Sequence, residues 1–208
     1  RQNTLKGSKN NILAHYDLSN DFYKLWLDPT MTYSSGVFPS KDSSMQEASI
    51  EKLDRICRKL KLSSKDHVLE IGTGWGSFAI HAAKNYGCRV TTTTISDNQF
   101  QYASELISKE GLEDKITLLS KDYRELKGSF DKVVSIEMIE AVGAEYVSGF
   151  FEKMSSLLKK NGLMALQGIT YNDPDFDSYK NSVDFIRKYI FPGSCLVAMP
   201  QIMQSIKE

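Results

Sequence analysis

Neither sign of charge prevails in this sequence of 208 residues: 26 Lys and Arg face 26 Asp and Glu. A phosphate-binding protein usually carries a basic surplus, so nucleic acid is not expected as the main partner. A local basic patch stays open. Long apolar runs are missing too, and none approaches the roughly 20 residues of a membrane-spanning helix. The opening stretch, Arg1 to Asn11, is polar, so no signal peptide is expected. Cysteine is scarce. Cys57, Cys88 and Cys195 form no Cys-x-x-Cys pattern, and an odd count without metal spacing fits a reducing cytoplasm. Each reads as a small buried hydrophobe, and no metal site is expected. Internal repeats and low-complexity tracts are also lacking. The length suffices for one domain with a sizeable core.

What is present is a regular alternation. Asn20 to Leu27 is a short helix candidate stopped by Pro29. Ser44 with Glu47 forms a capping box, and Met45, Ala48, Leu53, Ile56, Cys57 and Leu60 recur at helical spacing. Strands are expected at His67 to Ile71, Arg89 to Ile95, Ile116 to Ser120, Lys132 to Ile136 and Leu163 to Ile169. Helices are expected at Gly76 to Asn85, Asp97 to Glu110 with Ser96 as N-cap, and Glu145 to Lys159 with Gly162 as C-cap. Two further helices flank Phe191-Pro192-Gly193, and the second is cut off by the end of the chain. This pattern predicts an α/β fold: a mostly parallel sheet with helices on both faces.

Glu70-Ile71-Gly72-Thr73-Gly74-Trp75-Gly76 ends a strand and opens a helix. Glycines there allow a tight turn and close approach of a ligand. The spacing is neither that of dinucleotide enzymes nor, lacking a following Lys, that of a phosphate loop. An acid just before the glycines is the pattern of S-adenosylmethionine (SAM)-dependent methyltransferases. The second strand departs from it. Where an acid usually takes the ribose hydroxyls, this chain has Thr93-Thr94-Ile95-Ser96 and then Gln99, whose hydroxyl and amide groups can serve instead. Asp122-Tyr123-Arg124 follows the third strand, at the place that flanks adenine in this fold, with Asp122 facing the exocyclic amine.

Several further motifs carry a resemblance. They are His15-Tyr16-Asp17, Asn20-Asp21-Phe22-Tyr23, Leu27-Asp28-Pro29, Met31-Thr32-Tyr33-Ser34, Thr94-Ile95-Ser96 with Gln99, Ser135 through Gly143, and Tyr189-Ile190-Phe191-Pro192-Gly193. With the glycine loop they span about residue 12 to 195, and the chain resembles the cyclopropane-fatty-acid synthase family. The resemblance implies a Rossmann-like class I methyltransferase fold. It adds Tyr33, Ser34 and Glu137 to the cofactor-binding set of Glu70, Gly72, Gly74, Trp75, Gly76, Thr94, Ile95, Gln99, Asp122, Tyr123 and Arg124. It implies methyl transfer from SAM to the cis double bond of a phospholipid acyl chain, through a carbocation that loses a proton to close a cyclopropane ring. Bicarbonate is the implied base. Glu140 and Ile169 match two of its holders, while Ser35 stands where the family has Cys and Gln167 where it has His. A late Tyr and a closing antiparallel strand pair are expected beyond Glu208.

Other readings stay open. Some actinobacterial enzymes, in a subgroup that also includes plant-type synthases, make a methylene or methyl branch instead of a ring, and a hydride shift before proton loss gives the exocyclic alkene. A small-molecule N-methyltransferase and a SAM-binding module without catalysis are the others. The resemblance also divides the chain into a helical lid, residues 1–62, and a SAM-binding core, residues 63–208. It places the enzyme in the cytoplasm, peripheral to the inner face of the membrane, with unsaturated phospholipid acyl chains as partners and a homodimer admissible. Phe22, Tyr23 and Trp26 are either core or a lipid-facing lid. Lys6, Lys9, Arg58, Lys59 and Lys61 either meet anionic headgroups or line a solvated face. His15 is either structural or close to the methionine end of SAM. His67 and His81 read as packing residues, and Trp75 either stacks near the cofactor or packs the loop.

Overall fold

A computed structural model describes residues 3, 4, 7, 8, 11 and 19–207. His15, Tyr16, Asp17, Lys6 and Lys9 lie outside the described residues. The helices described are α1 (Asn20–Lys24), α2 (Met45–Leu60), α3 (Ser77–Tyr86), α4 (Asp97–Lys109), α5 (Val147–Leu157), α6 (Phe176–Lys180) and α7 (Met199–Lys207). The strands are β1 (His67–Ile71), β2 (Arg89–Thr94), β3 (Ile116–Ser120), β4 (Phe130–Ile136) and β5 (Leu158–Gln167). All pair in parallel, in the order β3-β2-β1-β4-β5.

The period of two in β1 sorts the layers. Val68 packs with Leu53 and Ile56 of α2, Phe78 and Ala82 of α3, and Ile107 of α4. Leu69 and Ile71 face the other way, onto Phe150 and Met154 of α5 and Ile202 of α7. Helices therefore cover both faces, as expected of a parallel sheet. Helix α2 starts where the capping box puts it. Ser44 Oγ accepts from Glu47 N, and Glu47 Oε2 accepts from Ser44 N at 2.7 Å. Ser96 caps α4 through Gln99 N. The threonine run of β2 is buried, and its hydroxyls have partners. Thr91 meets His67 Nε2, Thr92 donates to Glu70, Thr93 donates to Lys121 O, and Thr94 donates to Gln99.

Three elements differ from expectation. The first helix stops at Lys24, because Leu25 N and Trp26 N turn back to Phe22 O and Tyr23 O in a tighter turn. The helix expected from Glu145 begins at Val147 after a 3-10 turn, and it ends at Leu157, where the chain passes directly into β5. Gly162 is therefore no C-cap. It lies within β5, where Phe130 pairs with Leu158 and Lys132 already pairs with Leu163. A Cβ at Gly162 would sit 2.6 Å from Leu158 Cδ2 and 3.0 Å from Asp131 O. The glycine accommodates the bulge. The end of the chain, expected as two helices, holds α6, a π-helical turn at Ile186–Ile190 and α7. An isolated bridge from Thr170 to Val197 ties it to the end of β5. Cys57, Cys88 and Cys195 are all buried and free. Among the described residues no helix is long and apolar enough to cross a membrane.

Gly76 caps α3 at φ +96°, and a Cβ there would lie 3.3 Å from Ala103 Cβ of α4. Gly76→Ala is expected to lower stability by about 1–3 kcal/mol, read as a lower midpoint in thermal denaturation.

Candidate active site

The carboxyl ends of β1, β2, β3 and β4 open into one cavity of about 800 Å³. Its floor is the turn after β1. Gly72 N and Thr73 N both donate to Thr93 O, at 3.1 and 3.0 Å, and Gly76 N closes the turn on Thr73 O. Gly72, Gly74 and Gly76 all have positive φ. A Cβ on Gly72 would press on Met138 Cγ at 3.3 Å, so the backbone itself forms the wall. Beneath it, Thr73 Oγ1 and Thr92 Oγ1 lie 2.7 Å apart, and Thr92 donates to Glu70 Oε2 at 2.6 Å. Glu70 is only 2% exposed. Burial pushes its carboxyl up to about 8, against the opposing pull of the Thr92 hydrogen bond and the Lys52 charge.

The remaining expected cofactor contacts follow the order of the strands. Thr94, Ile95 and Gln99 line the cavity at the end of β2, with Thr94 and Gln99 bonded to each other at 3.0 Å. Asp122, Tyr123 and Arg124 line it beyond β3. Asp122 there holds Arg124 through Nε at 2.7 Å and Nη2 at 2.6 Å, and this pairing pushes the guanidinium up. Arg124 Nη1 in turn donates to Asn3 O. Trp75 lines the cavity and packs at once. It is 3% exposed, its Nε1 donates to Asn20 Oδ1, and its ring lies 4.9 Å from that of Tyr23. The N-terminal aromatics divide: Tyr23 is core, while Phe22 and Trp26 are exposed. Arg58 is paired with Glu51 and Asp54.

The expected catalytic residues form two groups. Glu137 stands just past β4 at φ +49°, a left-handed conformation uncommon for a residue with a side chain. Its Oε1 accepts from Ser35 N at 3.0 Å, Ser35 Oγ at 2.7 Å and Gln167 Nε2 at 2.8 Å. Ser35 and Gln167 thus meet at Glu137. Glu140 lies on the next 3-10 turn, Ile139–Ala141. Its Oε1 accepts from Ile169 N at 2.5 Å, and its Oε2 is buried with no hydrogen-bond partner among the described residues. Burial holds the Glu140 carboxyl above the usual carboxylate range. Gly168 lets the two approach, since a Cβ there would sit 3.3 Å from Glu140 Oε1.

Sequence reasoning missed Lys52. Its side chain, 1% exposed, donates from Nζ to Ser34 Oγ and lines the cavity. The signal was available, because Lys52 falls between Ala48 and Ile56 at i+4 spacing, on the apolar stripe of α2. Asn3 was missed as well. Its Nδ2 donates to Val142 O and to Gly193 O, and no local pattern announces a contact 190 residues away.

A parallel sheet in this order, with a glycine loop leading from its central strand into a crossover helix, defines the class I SAM-dependent methyltransferase fold. Within that class the chain belongs to the mycolic acid cyclopropane synthetase family, whose pattern matches residues 3–208. It is 39% identical over 200 residues to a probable fatty acid methyltransferase of Pseudomonas putida, covering 95% of this chain and 51% of that protein. It is 40% identical over 191 residues to the cyclopropane-fatty-acyl-phospholipid synthase of Escherichia coli K12, covering 92% of this chain and 48% of that protein. The solved structure of mycolic acid cyclopropane synthase CmaA1 complexed with SAH and CTAB superposes with a TM-score of 0.87 at 32% identity. That match covers 95% of this chain and 72% of the other. The chain spans about half the length of the curated relatives it matches.

The Glu70 carboxyl has a pH consequence. Between its ordinary value of 4.5 and about 8 the folded chain keeps a proton that the unfolded chain has released. The stability that Glu70 contributes is complete below the lower value and is lost as pH rises through the upper one. Urea denaturation from pH 5 to 8 should show a falling stability in the native protein, and Glu70→Gln should flatten the slope.

Proposed function

We propose that this chain carries the methyl-transfer site of a lipid C-methyltransferase that uses SAM on the cis double bond of a phospholipid acyl chain. One observation carries the reading. Glu140, whose Oε2 is buried with no hydrogen-bond partner among the described residues, lines the same cavity as the glycine loop and the apolar side chains of Ile136, Val142, Ile169, Phe191 and Leu196. A charged donor fits against the loop and an apolar chain against those side chains. The relatives named for fatty acids and acyl phospholipids support the substrate class, and the SAH-bound relative supports the donor.

The alkene π bond takes the methyl group from the sulfonium, leaving a carbocation on the acyl chain. Proton loss from the new methyl closes the ring, and a hydride shift before that proton loss gives an exocyclic methylene. The chain's task is to hold alkene and sulfonium in line and keep water from the cation. Bicarbonate would supply the base for the leaving proton. Glu140 fits it, because burial holds its carboxyl above the usual carboxylate range, and the protonated form of a carboxyl can donate a hydrogen bond to an anion. Ser35 and Gln167, both turned onto Glu137, would hold that carboxylate in place beside it. Phe22, Leu25 and Trp26, exposed beside α1, suit an enzyme that works from the cytoplasm against the inner face of a membrane.

The test uses the full-length gene product, SAM and liposomes of a cis-unsaturated phospholipid. Mass spectrometry is expected to find acyl chains heavier by one CH₂, and NMR separates ring from branch. No gain in mass, with SAM binding intact by calorimetry, overturns the lipid reading. Glu140→Gln should lower turnover by roughly 10²–10⁴-fold while SAM affinity stays unchanged.

A further inference from the structure

Lys52 is a buried ammonium in a protein whose other described lysines lie near the surface or partly exposed. Burying a charge is costly unless it is paired, and Lys52 faces ionisable groups from three elements. Glu137 beyond β4, Glu70 on β1 and Asp28 in the loop before α2 all act on it. Asp28 is itself anchored to α2 through Ser49 Oγ at 2.7 Å. Among the described residues, Nζ donates one hydrogen bond, to Ser34 Oγ.

That bond has a direction. An ammonium has three donors and no acceptor, so Ser34 Oγ must accept, and the serine's own hydrogen is left to point elsewhere. Ser34 lines the cavity. Its neighbour Ser35 is pinned to Glu137 by both N–H and Oγ, so the 33–35 turn is held on both sides. The strand order places Asp122 beyond β3, Gln99 at β2, the glycine loop at β1 and Glu137 beyond β4. A donor laid with adenine at the β3 end therefore brings its amino-acid end to the side where Ser34 and Lys52 stand.

We propose that Lys52 is a positioning residue which, acting through Ser34, aims a hydroxyl donor at the α-carboxylate of the methyl donor. This rests on the SAM reading above. Loss of the lysine proton reverses the polarity, because a neutral amine can accept the serine hydrogen and draw it out of the cavity. Burial pulls the Lys52 ammonium down to about 8, against the opposing pull of Glu137, Glu70 and Asp28. Of the other groups on this side, the Tyr33 hydroxyl is held up by burial and by Glu137.

The test is a double-mutant cycle in the full-length protein. SAM affinity is measured by calorimetry from pH 6.5 to 9.5 for wild type, S34A, K52M and the double variant, with melting by circular dichroism for each. Each single variant should weaken SAM roughly tenfold or more, and the double variant should be within about threefold of the weaker single variant, because one contact is lost twice. Wild-type affinity should fall above about pH 8 more steeply than that of S34A. SAM's own α-amino group titrates alike in both, so the difference between the two profiles decides, whether or not K52M folds. Additive losses, or identical pH profiles for wild type and S34A, overturn the proposal. Wild type that binds no SAM overturns the donor reading together with it.

Discussion

Burying polar and charged groups beneath a ligand cavity is the constraint around which this fold is arranged. Glu70, Lys52, Thr73, Thr92 and Thr93 lie under the glycine loop with little or no solvent. Each would weigh against folding if left unpaired. The pairing runs through three layers. Thr73 and Thr92 link the loop to β2, Thr92 passes to Glu70 on β1, and Lys52 reaches in from α2 towards Glu70 and Glu137. Helix α2 therefore does more than cover the sheet. Its apolar stripe packs in the same core cluster as Val68, Phe78 and Ala82, and its single buried ammonium supplies the positive charge that those carboxyl groups face.

The same constraint separates two neighbouring carboxyl groups. Glu137 is surrounded by donors from Ser35 and Gln167, which hold its side chain in one geometry. Glu140 has one backbone donor and an oxygen facing no partner among the described residues, and burial favours its protonated form. Three residues apart in sequence, they differ in surroundings: Glu137 ties Ser35 to Gln167, and Glu140 is a buried acid with one oxygen unpartnered among the described residues. The left-handed backbone at Glu137 and the turn that follows β4 produce the divergence.

Ser35 and Gln167 stand side by side, with Gln167 Nε2 donating to Ser35. Both residues donate hydrogen bonds to Glu137. The far end of the cavity is built from the segment after β5, which returns to the sheet at the bridge from Thr170 to Val197 and at the hydrogen bond from Cys195 N to Glu140 O. The apolar wall and the acid at the end of β4 are thereby one unit.

Much of the architecture was legible in the residues alone. The capping box at Ser44, the β-branched run of β2 and the glycine loop each depend on contacts within a few positions, and local chemistry decides them. The five parallel strands followed from the alternation. Gly162 shows where such reasoning fails, since a glycine after a helix suits a C-cap and a bulge equally well, and only pairing with β4 chose the bulge. Glu140 and Ile169 could be named from motifs, but their contact, and the gathering of Ser35 and Gln167 on Glu137, join positions 29 to 132 residues apart. Sequence by itself determined the class of fold, the donor loop and the inventory of polar groups, because these follow from local spacing. The tertiary structure alone decided which of those groups are buried, which carboxyl oxygen lacks a partner among the described residues and which carboxyl groups the buried cation faces, because desolvation and pairing exist only once distant segments have packed together.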